Sequence, residues 1–579
     1  MELLHGGKLG PAQLLLKELC ETNPNDAEAW YWLGAIYQHL NETSEAKKCY
    51  THVVNLQPQR PDIHYYLGNI YLELNQLIEA EACYQRSIAL KPDYVEAHNN
   101  LGFTFERQKK YDQAAECYKS ALRIDSRRAE LHFNLGNMLK ELEQYREAEA
   151  SYRRSLELKP DQVDAYNNLG NVLAYQRHFD EAATCYQRAL ELKPDQVDAY
   201  NNLGDLLADQ GRFDEAIAFL QQTILTHPNH PDLHHNLGSI LHDCGRVREA
   251  IKHYDKAITL NPDFVEAHWN RSMALLLIGD FQRGWADYEW KWKRTGKSRP
   301  LTPSPWDGSN LNGRSVFLHA EQGLGDELFF LRFAVELKRR NAGTINYRAG
   351  SKIASLLSRV PFIDRISAPE DIPTPEDLIL SVGDLPRILA GTALTQTPPP
   401  LGLTPLPEKL TAMRAQLAVL GKPPYVGLTW RAGTKVENSR KRTLYKECPI
   451  PLLASTIKGF PATILVLQRN PVAGDIEMFT KTLGRPVHDF SSLNEDLEAM
   501  LALLALLDDY VGVSNTNMHL HAGLGKTARV LVPMPADWRW MAGGRESPWF
   551  PGFSVYRQNY DGSWDDAFTE LAADLKSLN

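Results

Sequence analysis

A 34-residue period runs through the first half of the chain without one insertion, and few features restrict a fold more. Leu-Gly recurs at Leu33-Gly34, Leu67-Gly68, Leu101-Gly102, Leu135-Gly136, Leu169-Gly170, Leu203-Gly204 and Leu237-Gly238. Twelve residues after each glycine stands an alanine: Ala46, Ala80, Ala114, Ala148, Ala182, Ala216 and Ala250. Four residues further comes Tyr50, Tyr84, Tyr118, Tyr152, Tyr186, Leu220 or Tyr254. Pro58, Pro92, Pro160, Pro194, Pro228 and Pro262 close most units, with Ser126 the exception. Such a period means stacked units that bury a continuous core between neighbours. Glycine and alanine mark close helix approach, the aromatic is expected to fill the gap between neighbouring units, and proline ends the second helix.

This pattern resembles the tetratricopeptide repeat, a helix-turn-helix unit with these small and large residues in this order. The expected architecture is an all-α superhelix over residues 1–298. An eighth unit, from about Val265 to Arg294, has Ser272 for the glycine but keeps Phe281, Tyr288 and several tryptophans, and reads as a cap. Pro24 sits in phase, so residues 1–26 are expected to supply one leading helix. Cys49, Cys83, Cys117 and Cys185 also fall on the period, which makes them repeat positions, not a metal pattern or a disulfide framework.

Just before Leu-Gly stand Asn100, Asn134, Asn168, Asn202 and Asn236, with Asn270 in phase in the cap. Amides at one point of six successive units can donate to and accept from a peptide backbone, or can simply form a solvated helix face. O-linked N-acetylglucosamine transferases also join such repeats to a glycosyltransferase. Their comparable asparagine ladder holds extended polypeptide, so the resemblance implies a protein or peptide acceptor in a groove of the repeats.

Composition closes off other classes. Lys plus Arg at 63 against Asp plus Glu at 72 gives a net charge of −9, which argues against a general nucleic-acid binder. The start, Met1 to Lys8, lacks a basic stretch followed by an apolar core, and the richest apolar run, Met500 to Leu507, is too short to span a bilayer. No membrane insertion is expected, and seven cysteines, an odd number, suit a reducing cytoplasm. Homo-oligomerisation is left open.

Past Pro300, Pro303 and Pro305 the pattern changes to alternating strands and helices. Strands are expected at Ser315 to His319, Tyr425 to Trp430, Ile464 to Gln468, Tyr510 to Val513 and Ala528 to Val532, with a helix from Glu327 to Arg340. A second proline cluster, Pro398 to Pro400, divides the region into two Rossmann-like α/β domains, 299–400 and 401–579. Gly323-Leu324-Gly325 is not a dinucleotide fingerprint, because Leu328 occupies the third glycine position. Gly525-Lys526-Thr527 is not a P-loop, because Leu520 stands where its first glycine belongs.

The stretch Leu318-His319-Ala320-Glu321-Gln322-Gly323-Leu324-Gly325-Asp326 resembles the first strand, loop and Gly-Asp of heptosyltransferase-like GT-B glycosyltransferases. Val513-Ser514-Asn515-Thr516-Asn517-Met518-His519 resembles their donor-phosphate loop, and the likeness extends to Trp538, Trp540 and Ser547-Pro548-Trp549. It covers most of residues 306–579. The resemblance implies a GT-B fold, two Rossmann-like domains facing a cleft, with a C-terminal helix (about Trp564 to Leu578) crossing back to the first domain.

It further implies an inverting, metal-independent transfer from a nucleotide sugar. Asp326 would be the acceptor base, or from its position a plain helix N-cap. Asn515, Thr516, Asn517 and His519 would line the donor phosphate at a helix start, where free N–H groups favour anions. Asn515 departs from the family's usual aspartate. A lysine of the family meets donor phosphate in the loop after the Trp430 strand. Here Arg431, Lys435, Arg440, Lys441, Arg442 and Lys446 cluster, with Lys446 or Arg431 the candidates, and Gln468 could reach the nucleoside. The absence of Asp-x-Asp in this half argues for no metal, and no cofactor beyond the nucleotide-sugar substrate is expected. Two alternatives remain: a repeat scaffold whose transferase-like half is catalytically weak or inactive, and a transferase acting on a lipid-linked or polysaccharide acceptor.

Overall fold

A computed structural model describes residues 9–296, 305–320, 323–368, 370–375, 377–390, 397–433 and 446–576. Pro300, Pro303, Glu321, Gln322, Lys435, Arg440, Lys441, Arg442 and Leu578 lie outside the described residues. The chain divides into two compact units, one ending at Leu206 and the other beginning at Leu207.

The first unit opens with the leading helix Leu9–Thr22. Helix pairs of nearly constant length follow, from Ala27–His39 with Thr43–Leu56 to Val163–Tyr175 with Phe179–Leu192. Each pair turns on one residue with left-handed backbone, and these also recur every 34 positions: Asn41, Asn75, Lys109, Glu143 and Arg177, with φ between 57° and 65°. In the second unit Gly211, Gly245 and Gly279 continue the series.

The glycine of Leu-Gly explains the tyrosine sixteen residues later, present in every unit but the one with Leu220. A Cβ on Gly136 would lie 2.7 Å from Tyr152, and one on Gly170 would lie 2.5 Å from Tyr186. The ring therefore packs between the two helices of its own unit, over the bare glycine. The same ring also reaches the neighbouring unit, as expected: Tyr50 stacks on Tyr66 at 5.8 Å and shares a buried core with Leu67 and Ile70. The gap between units also carries a polar relay. Tyr152 donates to Asn137 at 2.7 Å, and Asn168 of the next unit donates to the same oxygen at 3.0 Å. Tyr84, Asn69 and Asn100 repeat the arrangement at 2.7 and 2.9 Å.

In the second unit the repeats continue with Phe213–Thr226, Pro231–Asp243, Val247–Leu260, Val265–Leu277 and a shortened Phe281–Tyr288. Strands β1 (Val316–His319), β2 (Ile345–Arg348), β3 (Arg365–Ser367) and β4 (Leu378–Ser381) form a parallel sheet in the order β3-β2-β1-β4. The remaining strands are β5 (Tyr425–Thr429), β6 (Arg431–Ala432), β7 (Lys446–Glu447), β8 (Thr463–Val466), β9 (His488–Asp489), β10 (Asp509–Val513), β11 (Arg529–Val532) and β12 (Ser554–Arg557). Of these, β6 and β7 pair as a short antiparallel ribbon, and the other six make a second parallel sheet in the order β12-β11-β10-β5-β8-β9.

Two expectations are corrected. The helix foreseen from Glu327 starts at Leu324 and breaks into Leu324–Leu331, a 3-10 turn and Val335–Arg339. The last helix, Asp565–Lys576, does not cross back to the first sheet. Its Phe568, Leu571 and Leu575 share a core with Val426, Leu453 and Tyr556 of the second sheet and its covering helix.

The last repeats pack directly on the α/β region. Trp285 meets Trp538 at 5.2 Å between ring centroids, Phe281 meets Trp549 at 4.6 Å, and Ala542 N–H donates to the Leu277 carbonyl at 2.9 Å. A Cβ on Gly245 would lie 2.2 Å from the Tyr560 ring. No helix of the described residues is long and apolar enough to cross a membrane.

Candidate functional site

Open parallel sheets bind ligands where the strand order reverses, beyond the carboxyl ends of the strands. In the first sheet the chain runs outward from β1 to β2 and β3, then returns to the other side of β1 with β4. In the second it runs from β5 to β8 and β9, then resumes on the other side with β10. The Gly-Leu-Gly-Asp loop follows β1 and the Asn-Thr-Asn-Met-His segment follows β10, so both motifs lie at reversal points.

The two motifs also touch. Gly323 is the N-cap of Leu324–Leu331, not Asp326, which stands in the first turn. A Cβ added to Gly325 would lie 3.2 Å from the His519 ring and 3.9 Å from the Thr516 hydroxyl. Gly325 thus permits an approach that any side chain would crowd. The Asp326 carboxylate pairs with the guanidinium of Arg539. Arg539 also holds Asp537 at 3.1 Å, and Asp537 accepts from Lys446 at 3.1 Å. Four charges alternate along this chain, from the first sheet's helix to the ribbon strand β7.

Burial sets the electrostatics. Arg539 is only 8% exposed, and its guanidinium lies over the rings of Trp538 and Phe329, at 4.6 and 5.0 Å. Burial alone would raise the Asp537 carboxyl, but Lys446 and Arg539 hold it well below the usual carboxylate range. Burial, aided by Arg539 and Lys446, pushes His519 well below its ordinary value, so it is neutral at pH 7. Its ring neighbours are Phe329 and Phe550, and no side-chain hydrogen bond of His519 is recorded among the described residues. Arg332, buried and pushed down to about 10 by burial, donates to the carbonyls of Pro398, Pro399 and Trp549. It thereby ties the second proline cluster to the back of the motif helix.

Other expected donor residues serve the scaffold. Asn515 is the N-cap of Thr516–Gly523: its oxygen accepts from Met518 N–H at 3.0 Å, and its nitrogen donates to Thr429 at 2.9 Å, joining the ends of β5 and β10. Asn517 donates to Asn494 at 3.0 Å. Gln468 accepts from the N–H groups of Trp430 and Arg431 and donates to two carbonyls, which closes the β5–β8 seam. The nucleoside contact foreseen for its side chain is corrected, since its amide is fully engaged by backbone. Arg431 pairs with Glu447 and Asp475, while Lys446 is the basic residue that joins Asp537 and Arg539.

The ladder asparagines also have partners. Asn202 donates to Asn167 at 2.9 Å, Asn134 to Asn99 at 3.4 Å, and Asn270 meets His235 at 3.0 Å. Asn236 is buried. The amide nitrogens of Asn100, Asn134, Asn168, Asn202 and Asn270 thus staple one repeat to the one before. Arg539 and Asp537 escaped the sequence reading. Their signal was a charged pair alternating with Trp538 and Trp540, where only the tryptophans carried the resemblance.

Family models match the repeats. One described as the C-terminal domain of cilia and flagella-associated protein 70 matches residues 7–199, and two tetratricopeptide repeat models match 168–232 and 238–279. Protein FlbA of Caulobacter vibrioides is 24% identical over 330 residues, 53% of this chain and 54% of that protein. The chain therefore spans about half the length of the curated relative it matches. Among solved structures, YrrB, titled a TPR protein with an unusual peptide-binding site, is 22% identical, covering 38% of this chain and 95% of that one at a TM-score of 0.28. A tetratricopeptide repeat protein from Parabacteroides merdae is 16% identical, covering 43% and 98% at a TM-score of 0.36. The matched segments and the helix pairs with their 34-residue turn agree: the N-terminal half of this chain is made of tetratricopeptide repeats.

Proposed function

We propose that the chain is a glycosyltransferase that moves a sugar from a nucleotide-sugar donor to a protein or peptide held by the repeats. The observation that carries this reading is the meeting of two motifs some 190 residues apart, Gly325 against His519, at the reversal points of two parallel sheets. Asp326 is the acceptor base. The leaving diphosphate lies at the start of Thr516–Gly523, where first-turn N–H groups lack intrahelical partners. Lys446, Arg539 and the neutral His519 add donors there, and preorganised donors around a departing charge are a large part of such catalysis. The chemistry is inverting and uses no metal, and the protein works in the cytoplasm.

The test is turnover of nucleotide sugars with protein acceptors. Asp326→Ala should lower turnover by on the order of 10²–10⁴-fold, the usual worth of a positioned base. Turnover equal to wild type removes Asp326 from that role. Replacing Asn134, Asn168 and Asn202 by Ala should raise the acceptor KM and leave donor hydrolysis unchanged.

One observation favours a second reading. The Asp326 carboxylate is engaged by Arg539, the state expected of a repeat scaffold whose transferase-like half binds donor without turning it over. Donor binding with no transfer to any acceptor would support it.

A further inference from the structure

Arg539 has what a diphosphate ligand needs, and its two carboxylate partners differ. Its guanidinium lies 4.6 Å from the Trp538 ring and 5.0 Å from the Phe329 ring, and its Nε is buried with no hydrogen-bond partner among the described residues. A planar guanidinium enclosed by aromatic rings presents a fork of donors suited to phosphate oxygens, which Lys446 complements as a point charge. Asp537 stands between both cations and orders them as a permanent member of the cluster. Asp326 belongs to the facing half, pairs among the described residues with Arg539 alone, and its side chain is 31% exposed against 18% for Asp537. It is the partner that can leave.

Beside the cluster, His519 is more than nine-tenths buried, with its Nε2 edge 3.6 Å from where a Gly325 Cβ would stand. A polar side chain this buried and without a recorded partner, next to two cations and a helix N-terminus, marks a place built for an anion.

We infer that Arg539 and Lys446 clamp the donor diphosphate, and that the Asp326 carboxylate occupies Arg539 in the ligand-free protein until phosphate oxygens displace it. This rests on the donor-site reading above. A carboxylate oxygen occupied by a guanidinium is not free to take a hydrogen bond from an acceptor hydroxyl, and geometry comes first for a base. The exchange therefore couples arrival of the donor to release of the base, makes donor binding the first step, and keeps the base idle while the site is empty.

The experiment is calorimetric titration of the full chain with UDP, GDP, ADP and dTDP. Wild type should bind one of them. Asp326→Asn removes the competing charge at nearly constant shape and should bind the same nucleotide at least about tenfold tighter, whereas Arg539→Lys should bind it at least about tenfold more weakly. An acid that is only a base, or only structural, would not tighten nucleotide binding on losing its charge. An unchanged Kd in Asp326→Asn overturns the exchange and leaves the donor reading standing. A wild type that binds none of the four overturns the donor reading and this inference with it. Circular dichroism checks that each variant is folded, and Asp326→Ser serves if the asparagine variant is not.

Discussion

The repeats and the α/β region use the same residue type in different ways. In the repeats an asparagine such as Asn137 takes bonds from Tyr152 and Asn168, and the motif returns at Asn69 with Tyr84 and Asn100. In the α/β region Asn515 caps one helix and Asn517 holds one loop, each once. A role repeated at a fixed interval shows itself in one dimension. A role that occurs once shows itself only when the chain has folded around it.

The largest effect that would sharpen this contrast belongs to a single-copy residue. Burial pushes His521 down to about 4, with Lys526 adding to the effect, and the ring packs edge-on to Tyr510. Unfolded, it takes up a proton near its ordinary value of 6.5. Between those two values the unfolded chain binds more protons, so stability falls as pH drops, by about 3 kcal/mol when pH reaches the folded value. Urea unfolding across this range should show that loss, and His521→Gln should flatten it. An equal pH slope in the variant would refute the assignment.

Next come the glycines. Gly136→Ala drives a Cβ to 2.7 Å from Tyr152, whereas Gly459→Ala in the α/β region meets nothing within 4 Å. The first should destabilise by about 1–3 kcal/mol as an overpacked core does, and the second by less than about 1 kcal/mol. If thermal melts of the two variants coincide, tyrosine-over-glycine packing is not what sets the repeat.

The smallest effects separate the members of the relay. Asn168→Ala removes one hydrogen bond between repeats and should cost about 1 kcal/mol, while Asn137→Ala strands the Tyr152 hydroxyl as well and should cost more, about 2 kcal/mol. Equal losses in chemical denaturation would mean that the relay is two independent bonds.

Much of this architecture is legible along the chain because periodicity and alternation are one-dimensional signals. The Leu-Gly and Ala positions predict helix pairs from Ala27 onward, and strands at Tyr425 to Trp430 and Tyr510 to Val513 agree with β5 and β10 to within a residue. Left-handed turns at Lys109, Glu143 and Arg177 are not legible from residue type, since none of those types favours positive φ. Within the site, Asp326 and His519 could be picked out by motif. That Gln468 is engaged by backbone, or that Arg539 joins Asp326 to Asp537, depends on contacts across as many as 213 residues. No local pattern encodes such a pairing. The final helix departs from its expected place for the same reason, because an amphipathic stripe says how much to bury but not against what.

The packing of Trp285 and Phe281 on Trp538 and Trp549 sets the grain at which this protein can be recombined. A piece beginning after the repeats would carry a bare patch of tryptophan and phenylalanine into water and invite aggregation. The transferable module is therefore longer than the α/β region and includes the final helix pairs. Upstream of Leu206 the units are near-identical tiles, open to duplication, loss or exchange.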